Sequence, residues 1–438
     1  MASFIPLRSI CVLWLMVALN AWAAPPKPAD LDNELGRVVS NTYNRLAKSA
    51  INSSKLANIL NSAEKAYQTQ DYAGALHILA SNHALNVANV NDADFQAVVR
   101  LALQLYCHTR VEELLAEAQQ QADHLTEATL SFELARFYAD NEHWQKIIRV
   151  FSDTSLFEQL TKKDLAEAYV LLGTALQKQK KHRAAIPIYE KVAVGSAHFR
   201  LAQLNLASAF IRQDWWTDAH TAIHAALNEN KGKRDPLDYR LFTMLGYSQI
   251  QFGFYRDARE SFRNVAISSD YAQRALLGLG IAALHQQDFI GALNAFDKLR
   301  VQQKNDISVA EAYLLSAFAL RQLEQFDAAT GRYQEAIDYY QTLSNNIDAQ
   351  LNVSGPTTIT FLRPEHTGDK LIRNNTRKLL LLDGLSGSAQ NNAIATIRTK
   401  ISNENSARVS KLLRSEKEAI DSYLSQSRFG LASLYDKK

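Results

Sequence analysis

Four places in the chain bring together residue types that could do chemistry. Gly278-Leu279-Gly280-Ile281-Ala282-Ala283 has the spacing with which glycines open a turn for a dinucleotide pyrophosphate. His220 and His224 stand one helical turn apart, so two imidazoles could chelate one metal ion from one face. Cys107-His108 sets a thiol beside a base, and Gly384-Leu385-Ser386-Gly387-Ser388 sets a serine among glycines. Each lacks the context its chemistry requires. The glycine run has no strand before it and lies inside a helical pattern. No glutamate adjoins His220 and no third ligand is evident. Cys107 has no readable orienting partner, and the serine follows a helix rather than a strand. No phosphate loop and no paired-cysteine motif occurs. The residues point to a non-enzyme, with no catalytic residue, no cofactor and no metal.

Stepping from these residues to the elements that hold them, a repeat emerges. Phe242, Leu245-Gly246, Gly253, Tyr255, Ala258 and Phe262 recur 34 positions on as Leu276, Leu279-Gly280, Gln287, Phe289, Ala292 and Phe296. Such a period marks stacked helix pairs, because one pair cannot bury its apolar face alone. Phasing on the small residue that lets two helices approach, and on the aromatic three places before it, gives eight units. They start near Leu56, Asp92, Ala128, Ala166, Arg200, Tyr239, Gln273 and Ala310. The turn aromatic is Tyr72, Trp144, Trp216, Tyr255, Phe289 and Phe326, with His108 and His182 in the other two slots. The close-contact residue is alanine in six units, and Val111 and Ile147 replace it in two. A large apolar residue follows one helical turn later, as at Tyr189, Phe262, Phe296 and Tyr333. Gly280 is thus explained by packing.

This pattern resembles the tetratricopeptide repeat over residues 56–342. Leu172-Gly173, Leu245-Gly246 and Leu279-Gly280 fit that family's Leu-Gly pair in the first helix of a repeat. Repeats four to eight match well, and repeats two and three are degenerate. The family's closing proline is absent, and a polar insertion, Asn228 to Pro236, separates repeats five and six. The resemblance implies an all-α fold, an α-α superhelix or solenoid, here with a C-terminal helical extension.

The flanks read differently. Residues 1–23 form a signal peptide: Arg8 precedes a short apolar run, and Ala21-Trp22-Ala23 offers small residues for cleavage. The run is too short to cross a bilayer, which needs about 20 residues, so no membrane span is expected after cleavage. Residues 24–55 are a leader and a capping helix from Leu31 to Ser53. Residues 343–369, rich in Pro, Gly and Thr, read as an irregular linker in which Thr357 to Leu362 is a strand or extended chain. Residues 370–438 form the helical extension: one helix stopped at Asp383-Gly384, then a long one docked on the array. Loss of Cys11 with the signal leaves Cys107 alone, so stability must come from packing. With 48 Lys and Arg against 45 Asp and Glu, near-neutral charge argues against nucleic acid. The positive excess is concentrated in residues 363–438, which hold 14 basic and 8 acidic residues.

In this family, ligands meet defined first-helix positions on the concave face. Carried over, the resemblance implies a protein-binding groove. Leu204, Ile211 and Arg212 line it in repeat five, and Arg240, Tyr247 and Ile250 in repeat six. Repeat seven adds Arg274, Leu277, Ile281 and Leu284; repeat eight adds Leu314, Phe318 and Arg321. The Lys and Asn with which chaperone-binding members clamp a carboxylate are missing here, Val170 and Thr174 standing in two such slots. An apolar groove with interspersed cations suits an amphipathic or extended peptide carrying acidic residues, unless the chain's own basic tail fills it. The expected function is a non-catalytic exported scaffold or adaptor in the periplasm. It would bind another envelope protein or peptide and support assembly of a cell-envelope complex. Two alternatives remain. One is an auxiliary subunit binding cell-wall or surface polysaccharide, for which Trp215 beside Asp214 is the candidate; the other is an enzyme with an unrecognised site in the C-terminal region.

Overall fold

A computed structural model describes residues 31–48, 55–90, 92–302, 305–352, 359–385 and 391–435. The signal peptide, Cys11 and Ser386 lie outside the described residues. The protein is all-α, with no strand among the described residues. Helix α1 is Leu31–Ala47. Eight helix pairs follow. They are α2 (Leu56–Gln68) with α3 (Tyr72–Ser81), α4 (Phe95–Gln104) with α5 (His108–Gln120), α6 (His124–Asp140) with α7 (Trp144–Val150), and α8 (Lys162–Lys178) with α9 (His182–Glu190). The remaining four are α10 (Phe199–Ile211) with α11 (Trp216–Glu229), α12 (Pro236–Gln251) with α13 (Tyr255–Arg263), α14 (Ala272–His285) with α15 (Phe289–Arg300), and α16 (Ile307–Gln322) with α17 (Phe326–Asn352). A short α18 (Pro364–Thr367), α19 (Lys370–Leu385) and α20 (Asn391–Tyr435) close the chain.

The repeat phase read from the sequence has a backbone signature. One residue in each turn between paired helices is left-handed: Gln70, Tyr106, Glu142, Lys180, Asp214, Gly253, Gln287 and Glu324. Each stands fourteen places after its repeat start. A residue there ends a helix by letting the next N–H donate back to the last turn, as Lys181 does to the Leu176 carbonyl (2.9 Å) and Asp288 to that of Ala283 (2.9 Å). Only Gly253 is a glycine; the other seven side chains tolerate the conformation at a cost of about 1 kcal/mol each.

Within a pair, close approach comes from a small residue under an aromatic ring. A Cβ at Gly246 would stand 2.6 Å from the Phe262 ring, and one at Gly278 would stand 2.3 Å from the same ring on its other side. Gly173 meets Tyr189 and Gly280 meets Phe296 in the same way. The dinucleotide-like glycines therefore sit inside helix α14 as seats for two phenylalanines.

The described chain forms two compact units. One comprises residues 31–213 and 370–407. In it α1 packs along α3 and α5, the second helices of repeats one and two, rather than across the end of the array as a cap. Tyr43 reaches the Leu79 carbonyl, Ser40 lies beside Cys107 and Gly36 fits against His108, and a buried ion cluster ties the same helix to α19 and the residue before α7. Asp32 lies 2.7 Å from His143 Nε2 and 2.5 Å from Lys378 Nζ. Burial alone would raise the Asp32 pKa, but Lys378 and His143 outweigh it and hold the carboxyl well below its ordinary range. Leu381, Leu382, Leu385, Ile394, Ile397 and Ile401 complete the same core. Helix α19 runs on through the expected Asp383-Gly384 stop, because Gly384 fits against Ala73 and Leu385 is buried.

The other unit comprises residues 214–369 and 408–435. Here the linker expected from 343 begins as helix: α17 is 27 residues long and ends at Asn352. Leu343 and Ile347 continue its apolar stripe into a core shared with Leu362, Leu413 and Ile420. Residues Ile359 to Phe361 have no regular structure, so of the two expected forms, a strand or extended chain, no strand is present among them.

Two stability measurements check this packing. In thermal or urea unfolding, Gly280→Ala should cost about 1–3 kcal/mol, because its Cβ has no room beside the buried Phe296 ring. Gly331→Ala, in open space on helix α17, should instead gain about 0.5–1 kcal/mol. Lys378→Met, which leaves Asp32 buried without its cation, should lose about 3–5 kcal/mol, more than the double variant with Asp32→Asn.

Candidate functional site

First helices of successive repeats touch one another: α4 meets α6, α6 meets α8 and α8 meets α10 in one unit; α12 meets α14 and α14 meets α16 in the other. They form one continuous face of each unit, called here its inner face. In the unit of residues 31–213 and 370–407 that face is a charged ladder. Arg100 grips the buried Glu133 with two hydrogen bonds, Nη2 to Oε1 at 2.7 Å and Nε to Oε2 at 3.1 Å. Gln96 donates to the same carboxylate at 2.9 Å. Arg136 lies 3.5 Å from Glu133 and 3.1 Å from Glu167, which is 3.7 Å from His198. Farther along, the Tyr189 hydroxyl donates to Gln177 Oε1 (2.6 Å), and Gln177 Nε2 donates to the Asn205 carbonyl (2.9 Å).

A cleft of about 90 Å³ opens on this face, lined by Arg100, Gln104, Arg136, Asp140, Asn374 and Arg377 among others. Ligand pockets for whole small molecules span roughly 300–1,000 Å³, and a water occupies about 30 Å³. The cleft is therefore too small for a whole small molecule, and two of its guanidiniums, Arg100 and Arg136, are already paired with Glu133 and Glu167.

The sequence-derived groove residues fall into two classes. Leu204 and Ile211 are buried in the first unit, and Arg212 is half-buried, which lowers its pKa. In the second unit Ile250, Leu277, Ile281 and Leu284 are buried in one cluster, and Leu314 lies in another with the C-terminal helix. Tyr247 is half-buried, its hydroxyl donating to the Arg274 carbonyl at 2.8 Å. Phe318 is partly buried. Of the cations, Arg240 is exposed, Arg274 pairs with Glu365, and Arg321 reaches the Tyr333 phenol. The open apolar groove is therefore corrected to a face whose apolar members pack between repeats. Helical spacing places a residue on the side of the first helix that serves both the groove and the next repeat, and burial won.

The C-terminal extension docks on the array as expected, through contacts that sequence reasoning did not specify. Glu416 is buried and accepts from the backbone N–H of Leu362 (2.9 Å) and Arg363 (3.0 Å) and pairs with His366 Nδ1 (2.8 Å). It pins residues 362–366, whose Glu365 then reaches Arg274. Tyr423 packs over α16 and places its hydroxyl 3.3 Å from Glu311. Glu311 is fully buried, and burial lifts its pKa to about 8. Neither glutamate is flagged by local spacing. The ladder could have been found, since Arg100 and Glu133 lie about one repeat apart in the sequence.

The other chemical patterns resolve into packing. His220 bonds Ser248 Oγ at 2.6 Å, while His224 is exposed. Cys107 is buried beside Ser40, its thiol pushed up to about 12. Burial lowers His108 to about 4, and its ring stacks on Phe137 at 4.9 Å. Among the described residues no group of three or more His, Cys, Asp or Glu side chains could hold a metal, and no helix is long and apolar enough to cross a membrane.

No protein-family model and no curated protein matches the sequence. Among solved structures, the chain is similar to a tetratricopeptide repeat protein from Parabacteroides merdae, at 14% identity and a TM-score of 0.39, covering 64% of this chain and 99% of that one. It is also similar to the APC/C hetero-tetramer Cut9-Hcn1, at 16% identity and a TM-score of 0.33, covering 76% of this chain and 58% of that one.

Glu311 gives this docking a pH signature. Its folded pKa lies above that of the unfolded carboxyl, about 4.3. Its contribution is therefore complete below about pH 4.3 and is lost as pH rises towards 8. Thermal melts should show a decline between pH 5 and 8 that is shallower in Glu311→Gln.

Proposed function

We propose that the protein is a non-catalytic scaffold or adaptor that binds a segment of another protein along the first-helix face. The observation that carries this reading is the ladder in which the buried Glu133 holds Arg100 and Arg136, so that these two guanidiniums and Glu167 stand partly exposed at about one repeat spacing beside an open cleft. Donors and acceptors repeated in this way match an extended or helical segment, whose own groups also recur along its length. The reading differs from an apolar groove in what it selects: charged and polar side chains register the partner, and buried leucines only hold the face in shape.

The signal-like residues 1–23 support placing this scaffold in the periplasm, as a part of a cell-envelope complex. The exported form would begin at Ala24.

Two measurements test the proposal. Affinity capture from the envelope fraction with the mature chain should return a specific protein, reduced about tenfold by Arg136→Gln with Glu167→Gln, since rim charges steer and register a partner. Capture unchanged by those substitutions, in a variant whose melting is unaltered, would sink the face assignment. Intact-mass measurement of the purified exported chain should give a mature N-terminus at Ala24; retention of residues 1–23 would reject the export reading.

A further inference from the structure

The turns that join paired helices form a second edge of each unit, which in the unit of residues 31–213 and 370–407 meets the charged ladder at the cleft that Asn374 and Arg377 line. In the unit of residues 31–213 and 370–407, the chain covers this edge itself with α19. Arg377 lies 5.9 Å over the Tyr67 ring and Lys378 5.3 Å over the Tyr106 ring. Asn374 Nδ2 donates to the Asp140 carbonyl at 2.7 Å, and the Asn374 carbonyl accepts from the Tyr106 hydroxyl at 3.3 Å. Leu381 and Leu382 bury the apolar side of the same helix. A basic amphipathic helix thus sits on aromatic turns, held by cation–π contacts and apolar burial.

In the unit of residues 214–369 and 408–435, the same edge carries aromatic and aliphatic side chains that stay exposed. The Trp216 and Phe252 rings meet at 3.9 Å, Tyr255 stacks on His285 at 4.6 Å, and Arg259 reaches Gln286 at 2.9 Å, so neighbouring turns join into one strip. On it Phe252, Phe254 and Ile290 are 40%, 55% and 65% exposed. The charged residues beside them are mostly acidic: Asp214, Asp218, Asp257 and Glu324 are exposed, against the exposed Arg256. Exposed apolar strips rimmed by one sign of charge mark docking surfaces.

We propose that this edge docks a basic amphipathic helix of a partner protein. The partner's leucine-type side chains cover Phe252, Phe254 and Ile290, while its Lys and Arg reach the acidic rim. The chemistry is that with which α19 covers the edge of repeats one to three. The proposal takes from the scaffold reading only that a protein partner exists. It assigns that partner a different surface, so the two fail separately.

The test uses the full mature chain and a fluorescently labelled peptide of residues 370–385 as the probe, followed by anisotropy. Saturable binding is expected, weakened about tenfold by Phe254→Asp with Ile290→Asp in the protein, and by a similar factor when Lys370→Glu, Arg373→Glu, Arg377→Glu and Lys378→Glu are made in the peptide. Asp218→Lys with Asp257→Lys should reverse the preference between the two peptides. The ladder pair Arg136→Gln and Glu167→Gln should leave binding unchanged. No saturable binding, equal binding of the acidic peptide, or indifference to the edge substitutions in chains of unaltered melting temperature would each overturn the proposal. So would self-association of the chain, in size-exclusion chromatography with light scattering, that Phe254→Asp abolishes, since the edge would then belong to a second copy.

Discussion

An aromatic ring seated on a helix backbone sets the geometry of this protein. Phe262 lies between Gly246 and Gly278, with no room for a Cβ on either side. The ring therefore fixes the separation of its own helix from the preceding and the following first helices at once. Interiors pack at crystal-like density, so such a contact has one distance and tolerates no added methyl group. Repeated at Tyr189 and Phe296, it converts a sequence period into a regular stack. Where alanine replaces glycine, as at Ala63, Ala135 and Ala317, the small residue is still fully buried sixteen places before a large one.

A stack of this kind has an end that exposes apolar surface and needs a terminal element with a polar outer side. The last repeat solves this with a distant part of the chain. Tyr333 would meet the first helix of a ninth repeat; instead Gly430 of α20 stands against its ring, where a Cβ would lie 2.5 Å away. Leu413, Ile420, Tyr423 and Leu434 extend the contact over α16 and α17. Helix α20 imitates the missing first helix, and its exposed Lys411, Arg414, Glu418 and Arg428 face solvent. Burial of Glu311 and Glu416 beneath it ties this closure to polar groups, which need partners once they leave water.

The same logic separates the surfaces. Apolar first-helix residues were drawn into contacts between repeats, leaving charged and polar side chains to form the inner face. Among the apolar residues that do reach solvent, Phe252, Phe254 and Ile290 lie at the turns within pairs, Val194, Ile267 and Val301 lie between repeats, and Leu380 and Phe429 lie on the C-terminal helices. In one unit α19 covers the turns, with Lys378 completing the Asp32 cluster. In the other the turn aromatics stay exposed.

The sequence by itself determined the local architecture. Period, small residue and aromatic specify which stretches pair, where each turn falls and why Gly278 and Gly280 are not a cofactor loop, since all of these depend on neighbours within one or two repeats. What it did not determine follows from long-range competition for surface. The Asp383-Gly384 stop was overridden by packing on Ala73, and α17 outran its expected end because Leu343 and Ile347 found a core. Whether Leu277 or Ile281 faces a groove or a neighbour was decided by the neighbour. Glu416 and Gly430 gained their roles from residues brought beside them only by the fold. A periodic pattern states that a side must be buried; the tertiary structure alone states against what.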